Sequence, residues 1–333
     1  MEFVRILKSC DTPAARALWQ ARFHDPEPFT DWYFAKRFLP DWSAGFFEGD
    51  MLVSMIHGCP MRLFVRGRVV DALAISGVST KEGYEKRGYM HAVMRFILQL
   101  ARKRACPLAF FKPEDFGVYR SLGQLPCTRV KWGVGTGRLA PDFEKEADET
   151  ALLACYRTAT TRYSGAVDRN RREFADRMAD YASCGGRVIA ERCDGKTAGY
   201  AVLLDDGSCP EALAVDGETY GKLLDRLPAG TQVKLPPDAP CGGEITDGNI
   251  VVAADVQTLI KTFVRGRDIA FSVTDPAVLQ NNGVFNALGE DAPNAESVSL
   301  TAGALTQAIV GYAVPDELKD IFDGACCYCV EEY

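Results

Sequence analysis

The stretch that most constrains the fold runs from Val69 to Ala105. Its first part, "VVDALAISGVST", is rich in β-branched residues and short enough for a strand. Farther on, Met90, Val93, Met94, Ile97, Leu98 and Ala101 recur at the i, i+3, i+4, i+7 spacing of one helix face. That spacing predicts a helix from near Arg87 to about Ala105. Between strand and helix lies "KEGYEKRG", a basic turn ending in Gly88. A helix start leaves backbone N–H groups without partners and carries a partial positive charge, and a glycine there lets a ligand approach the backbone. The turn is therefore a candidate phosphate site. The alternative is an ordinary strand-to-helix connection with Lys86 and Arg87 solvated.

At 333 residues the chain is too long for one core and predicts two or three domains. Its start, "MEFVRILKSCDTP", lacks the basic-then-apolar run of a secretory leader, and no apolar run reaches the length of a membrane span. The expected location is the cytoplasm, with no membrane partner. Twelve scattered cysteines fit reduced thiols, so no structural disulfides are expected. Charge is uneven. Residues 1–140 hold 21 Lys and Arg against 13 Asp and Glu, whereas residues 141–333 hold 17 against 32. A basic half suits an anionic ligand and an acidic half a cationic one, while the net charge of −7 argues against nucleic acid as a partner.

Along the chain, Asp11 or Thr12 caps a helix with Pro13 at its first position, and a second helix is expected over Asp31 to Phe38. An antiparallel meander follows, turning at Glu48-Gly49-Asp50 and at Arg66-Gly67 and leading into the strand before the basic turn. After the long helix come a fifth strand, "LAFFK", a short helix, "EDFGVYRSLG", and a closing strand, "CTRVKWGVGTGRL". Acid-rich "APDFEKEADE" reads as a linker. Beyond it two helices, a hairpin, a strand and a helix repeat the first domain's order without a basic glycine turn. "LPAGTQVKLPPDAPCGG" reads as a second linker, and the rest mixes strands and helices. The expected domains are 1–139, 147–228 and 241–333, of mixed α/β (α+β) class.

Other signatures fail. "AERCDGKT" has Ala190 where a P-loop requires glycine, and "GVGTG" at 133–137 precedes no helix. Three histidines make a histidine triad or metal site improbable, and the lone C-x-x-C of Cys326 and Cys329 is weak evidence for zinc, so no metal is expected.

The strand, basic turn, long helix, fifth strand and short helix, together with "VSTKEGYEKRGYMHAVM" (78–94), "GVYRSLGQLPCT" (117–128), "VTDP" (273–276), "NNG" (281–283) and the end "CVEEY", resemble the GNAT superfamily of acyl-CoA-dependent N-acetyltransferases, and within it the enhanced intracellular survival (Eis) family. The resemblance spans nearly the whole chain. It implies a catalytic GNAT domain, a degenerate second GNAT-like domain and a C-terminal sterol carrier protein-like domain. The anion at the basic turn is then the pyrophosphate of acetyl-CoA, met by the backbone of Lys86, Arg87, Gly88, Tyr89, Met90 and His91. Val78, Ser79 and Thr80 form the strand edge, where Val78 and Thr80 pair with the pantetheine amides. Glu85 departs from the family, which usually has Arg or Gln there, and a carboxylate repels a pyrophosphate.

By the same resemblance Tyr119 is the general acid and the α-carboxylate of Tyr333 the base. The activity implied is acetyl transfer to a primary amine, whether an aminoglycoside-like polyamine, a small amine or a lysine, by a homo-oligomer, hexameric in the family. The competing reading is a non-catalytic protein that binds acyl-CoA or an apolar ligand through the carrier-like domain, with Glu85 marking a decayed CoA site.

Overall fold

The computed structural model describes residues 2–264, 269–286 and 297–331. Strand β1 (Glu2–Ile6) leads into helices α1 (Thr12–Phe23) and α2 (Glu27–Lys36), and strands β2 (Ala44–Glu48), β3 (Met51–Val65) and β4 (Arg68–Thr80) form the expected meander. Helix α3 (Tyr89–Lys103), β5 (Leu108–Phe111), a 3₁₀ turn at Phe116–Leu122 and β6 (Arg129–Val134) complete this segment. The apolar stripe read from sequence is the buried face of α3: Val93, Met94, Ile97, Leu98 and Ala101 pack against Ala44, Val53, Ile56, Leu73 and Ile75 of the sheet.

The second segment holds α4 (Glu149–Thr160), α5 (Arg171–Ser183), β7 (Arg187–Cys193), β8 (Lys196–Leu203), β9 (Glu211–Ala214), α6 (Gly217–Arg226) and β10 (Gln232–Leu235). It repeats the order of α1 to α3. Asp148 caps α4 through the N–H groups of Thr150 and Ala151, and Asn170 with Glu173 forms a capping box on α5. The third segment holds β11 (Glu244–Asp247), β12 (Ile250–Ala253), α7 (Val256–Phe263), β13 (Ala270–Thr274), β14 (Gly283–Asn286), β15 (Ser297–Thr301) and α8 (Ala302–Val310).

Several sequence expectations need correction. β1 was not expected; "EFVRI" is a half-exposed edge strand without clear alternation, and it pairs with β2. Helix α2 begins at Glu27, four residues before the expected start. The "linker" after α6 contains β10, whose four residues are masked by flanking Pro228, Gly230, Pro236 and Pro237. "DELKDIF" forms only a 3₁₀ turn, Asp316–Leu318. The largest difference is in strand partnership. β6 leaves the first sheet and lies between β10 and β11, while β12 pairs antiparallel with β5, giving the order β1-β2-β3-β4-β5-β12. The first and third segments thus share one sheet, and the second sheet borrows β6 from the first.

The chain's last described residues run between these units. Ser164 bridges to Cys327, the Lys234 ammonium donates to the Val330 carbonyl at 2.9 Å, and the Asn249 amide donates to the Glu331 carbonyl at 2.8 Å. Among the described residues no helix is long and apolar enough to cross a membrane.

Candidate active site

Strand β4 pairs with β3 along its whole length but with β5 only over Ala72 to Ala74, opposite Leu108 to Phe110. Beyond Ala74 the two parallel strands diverge. Gly77 (φ +58) sits where the β3–β4 register slips between Met55 and His57, and this bulge turns the strand away from β5. Among the described residues, the edge of β4 that faces β5 is therefore without a strand partner from Ile75 to Thr80.

That edge leads directly into the basic turn. Lys86 (φ +61) and Gly88 (φ +84) both adopt left-handed backbone, the conformation that folds successive N–H groups into an anion-binding concavity. The first bond within the helix runs from the Ala92 N–H to the Gly88 carbonyl, so the N–H groups ahead of it point out of the helix end. A Cβ on Gly88 would meet nothing within 4 Å, which leaves open space above this helix start. The turn is braced from below. The Tyr89 ring stacks on Phe46 at 4.2 Å, and its hydroxyl donates to Glu48.

A cleft of about 750 Å³ joins the two features. Val78, Ser79, Thr80, Lys86, Gly88, Tyr89, Met90, His91 and Tyr119, all singled out from sequence, line it together. Arg87 is not among them. Its guanidinium turns back to donate to the Gly83 carbonyl at 2.9 Å and lies over the Tyr84 ring. Glu85 reaches the cleft but accepts a hydrogen bond from Arg22 at 3.1 Å. Its carboxyl is held below the ordinary range, chiefly by a backbone N–H and further by the Arg22 charge.

Tyr119 is 7 % exposed, on the 3₁₀ turn behind β5, with its ring 4.7 Å from that of Phe111. Asp115 starts this turn by accepting the Gly117 N–H at 2.7 Å. Burial pushes the phenol up to about 12, with the Glu114 charge acting in the same direction. The hydroxyl has no hydrogen-bond partner among the described residues. It stands at the junction of two clefts.

The second cleft, about 630 Å³, lies between the first and second segments and shares Phe23, Val78, Glu114 and Tyr119 with the first. Aromatic side chains of α1 and α2 (Trp19, Phe29, Trp32, Tyr33) form one wall, and Arg177, Asp180 and Tyr181 of α5 form another. Asp25 accepts from the Trp19 indole at 2.9 Å; burial raises its carboxyl pKa, and the Asp180 charge adds to the rise. None of these residues was identified from sequence. The available signal was six aromatics within residues 19–34, interleaved with Asp25, Glu27 and Asp31.

The expected base, Tyr333, lies outside the described residues. The last described position, Glu331, is buried and pairs with Arg169 at 2.6 Å and Arg177 at 3.7 Å, and Arg177 lines the second cleft.

Residues 4–125 match the acetyltransferase (GNAT) domain family, and residues 244–322 match a sterol carrier protein domain family. No curated protein matches the chain by sequence. Among solved structures, a conserved protein of unknown function from Enterococcus faecalis V583, titled a probable N-acyltransferase, superposes with a TM-score of 0.81 at 14 % identity over 100 % of both chains. Eis1 from Mycobacterium abscessus superposes with a TM-score of 0.77 at 16 % identity, again over 100 % of both. A GCN5-related N-acetyltransferase from Kribbella flavida gives 0.79 at 17 % identity, covering 100 % of this chain and 98 % of its own. At these identities the likeness is one of fold.

Proposed function

We propose that this chain, in which a GNAT acetyltransferase domain is joined to a C-terminal sterol carrier protein domain in the fold shared with Eis1, transfers an acetyl group from acetyl-CoA to a primary amine within a ternary complex. The observation that carries this reading is the meeting of two clefts at Tyr119. One cleft offers an unpartnered strand edge and a helix N-terminus in line; the other is aromatic and acidic.

The pyrophosphate lies against the N–H groups from Lys86 to His91, and the pantetheine amides pair with Val78 and Thr80 as a neighbouring strand would. This delivers the thioester past Val78 to Tyr119. Asp25 and Asp180 face the amine side, and a bound ammonium relieves the repulsion between them. Once neutral, the amine nitrogen bonds to the thioester carbon, the C–S bond breaks and negative charge develops on sulfur. The Tyr119 hydroxyl, which stays protonated well above neutral pH, donates to that sulfur. The proton lost by the amine goes to the base, which the family resemblance assigns to the α-carboxylate of Tyr333. The tail supports that assignment as far as Glu331, which lies beside Arg177 of the amine cleft. Glu85 is engaged by Arg22, which weakens the case for a decayed CoA site. We place the protein in the cytoplasm, where acetyl-CoA is available.

The test is thiol release from acetyl-CoA with kanamycin, spermidine, phenethylamine and a lysine peptide. Amine-dependent release with an N-acetylated product is expected from at least one. Release at the hydrolytic background with all four, and no acetyl-CoA binding by calorimetry, contradicts the reading.

A further inference from the structure

Behind the amine cleft lie three buried polar groups that the transfer chemistry does not use. Ser76 is on β4, Tyr33 on α2 and His57 on β3. The Tyr33 hydroxyl is 2.7 Å from Ser76 Oγ and 3.1 Å from His57 Nδ1, and His57 Nε2 is 3.2 Å from the sulfur of Met55. The imidazole is pinned in place. A Cβ on Gly77 would come within 2.8 Å of His57 Nδ1, and the rings of Trp19 and Phe38 lie 5.5 and 4.6 Å from the imidazole. Burial lowers the His57 pKa to about 3, so the ring is neutral at working pH and carries one N–H.

The direction of the chain follows from its far end. A thioether sulfur accepts and cannot donate, so the nitrogen facing Met55 is the one that carries the proton. Nδ1 then presents a lone pair and accepts from Tyr33. With its proton committed, the Tyr33 oxygen accepts from Ser76. The Ser76 proton points inward, and the Ser76 hydroxyl makes no other hydrogen bond among the described residues. Ser76 and Tyr33 both line the amine cleft.

We propose that Tyr33 and His57 are positioning residues that hold Ser76 Oγ as a hydrogen-bond acceptor for an N–H of the incoming amine. This rests on the acyltransferase reading above. A neutral primary amine has two N–H groups. One donates to Ser76 and the other faces the base, which directs the nitrogen lone pair toward the thioester beyond Val78. A secondary amine has one N–H and cannot satisfy both. The site therefore selects primary over N-methylated amines by hydrogen-bond count as well as by bulk.

Two measurements test this on the full-length protein. The chain has three histidines, so ¹⁵N-edited NMR can assign each ring. His57 should be neutral with its proton on Nε2; a proton on Nδ1, or an imidazolium at pH 7, overturns the chain's direction whether or not the protein is an enzyme. The second measurement is kinetic, comparing phenethylamine with N-methylphenethylamine. Ser76→Ala should raise KM for phenethylamine about tenfold, the loss of one hydrogen bond, leave KM for acetyl-CoA unchanged and narrow the preference for the primary amine. Tyr33→Phe should do the same in part, and Ser76→Thr should restore the preference. An unchanged preference in Ser76→Ala overturns the substrate role. Absence of turnover with any amine sinks the acyltransferase reading and the substrate role with it, while the NMR result still decides the direction of the chain.

Discussion

Glu85 shows how a residue that looks wrong in sequence is accommodated by a neighbour. Alone it would repel a pyrophosphate, yet Arg22 comes from α1, 63 positions away, to pair with it. The pair is surface-exposed and holds Arg22 at the cleft wall, where the guanidinium's charge is partly neutralised. Glu85→Gln should free that charge and tighten acetyl-CoA binding about three- to tenfold at low salt, with the gain fading at high salt. Calorimetry at two ionic strengths checks this, and weaker binding in the variant would show that Glu85 helps hold the turn. Gly88→Asp should weaken acetyl-CoA at least 100-fold, since it sets a carboxylate in the space above the helix end and strains a φ of +84°. Near-normal affinity would remove the anion site. At this scale the sequence disclosed the CoA side well, because a helix start and its glycine are local features. The amine side stayed hidden: Trp19, Asp25 and Asp180 converge only after α2 and α5 have packed across segments.

Strand β4 is the element on which both clefts depend. It must pair with β3 to stay in the sheet and yet leave β5, and the bulge at Gly77 reconciles these demands. Gly77→Ala would place a methyl against His57 and Trp19 at a positive φ, costing about 1–3 kcal/mol. Urea denaturation should show a lower midpoint, and an unchanged midpoint would mean that the bulge is not constrained as described. Helix α3 was legible to within two residues at either end because its apolar period runs through four turns. The β6 and β12 exchange was not legible. A strand's alternation reports which face is buried and says nothing of which edge it will pair with.

The second segment and the C-terminal tail are held together around a buried charge network. Arg169, fully buried, makes a bidentate pair with Glu211 and a third bond to Glu331 of the tail, while Tyr181 and Tyr200 donate to Glu211. Arg169→Leu would leave the buried Glu211 carboxylate without its counter-charge and should cost about 3–5 kcal/mol. Burial acts to raise the Glu211 pKa, but the charge and hydrogen bonds of Arg169 outweigh it, so the folded value lies below the ordinary 4.5. The unfolded chain therefore takes up this proton first on acidification. The stability it contributes is complete above the ordinary value and is lost as pH falls through the folded one. Urea midpoints at pH 7 and pH 4 should separate more for the wild type than for Glu211→Gln, and an equal separation would contradict the assignment. The oligomer implied by the family resemblance is tested by sedimentation, where a monomer alone would argue against it. The central claim is that one cleft binds acetyl-CoA and Tyr119, at its junction with the other, serves the chemistry. The most direct measurement follows acetyl-CoA affinity and amine-dependent thiol release in parallel on wild type and Tyr119→Phe. The account predicts unchanged affinity with turnover reduced by roughly 10²- to 10⁴-fold. Wild-type turnover in Tyr119→Phe would return the tyrosine to a packing role and contradict the account.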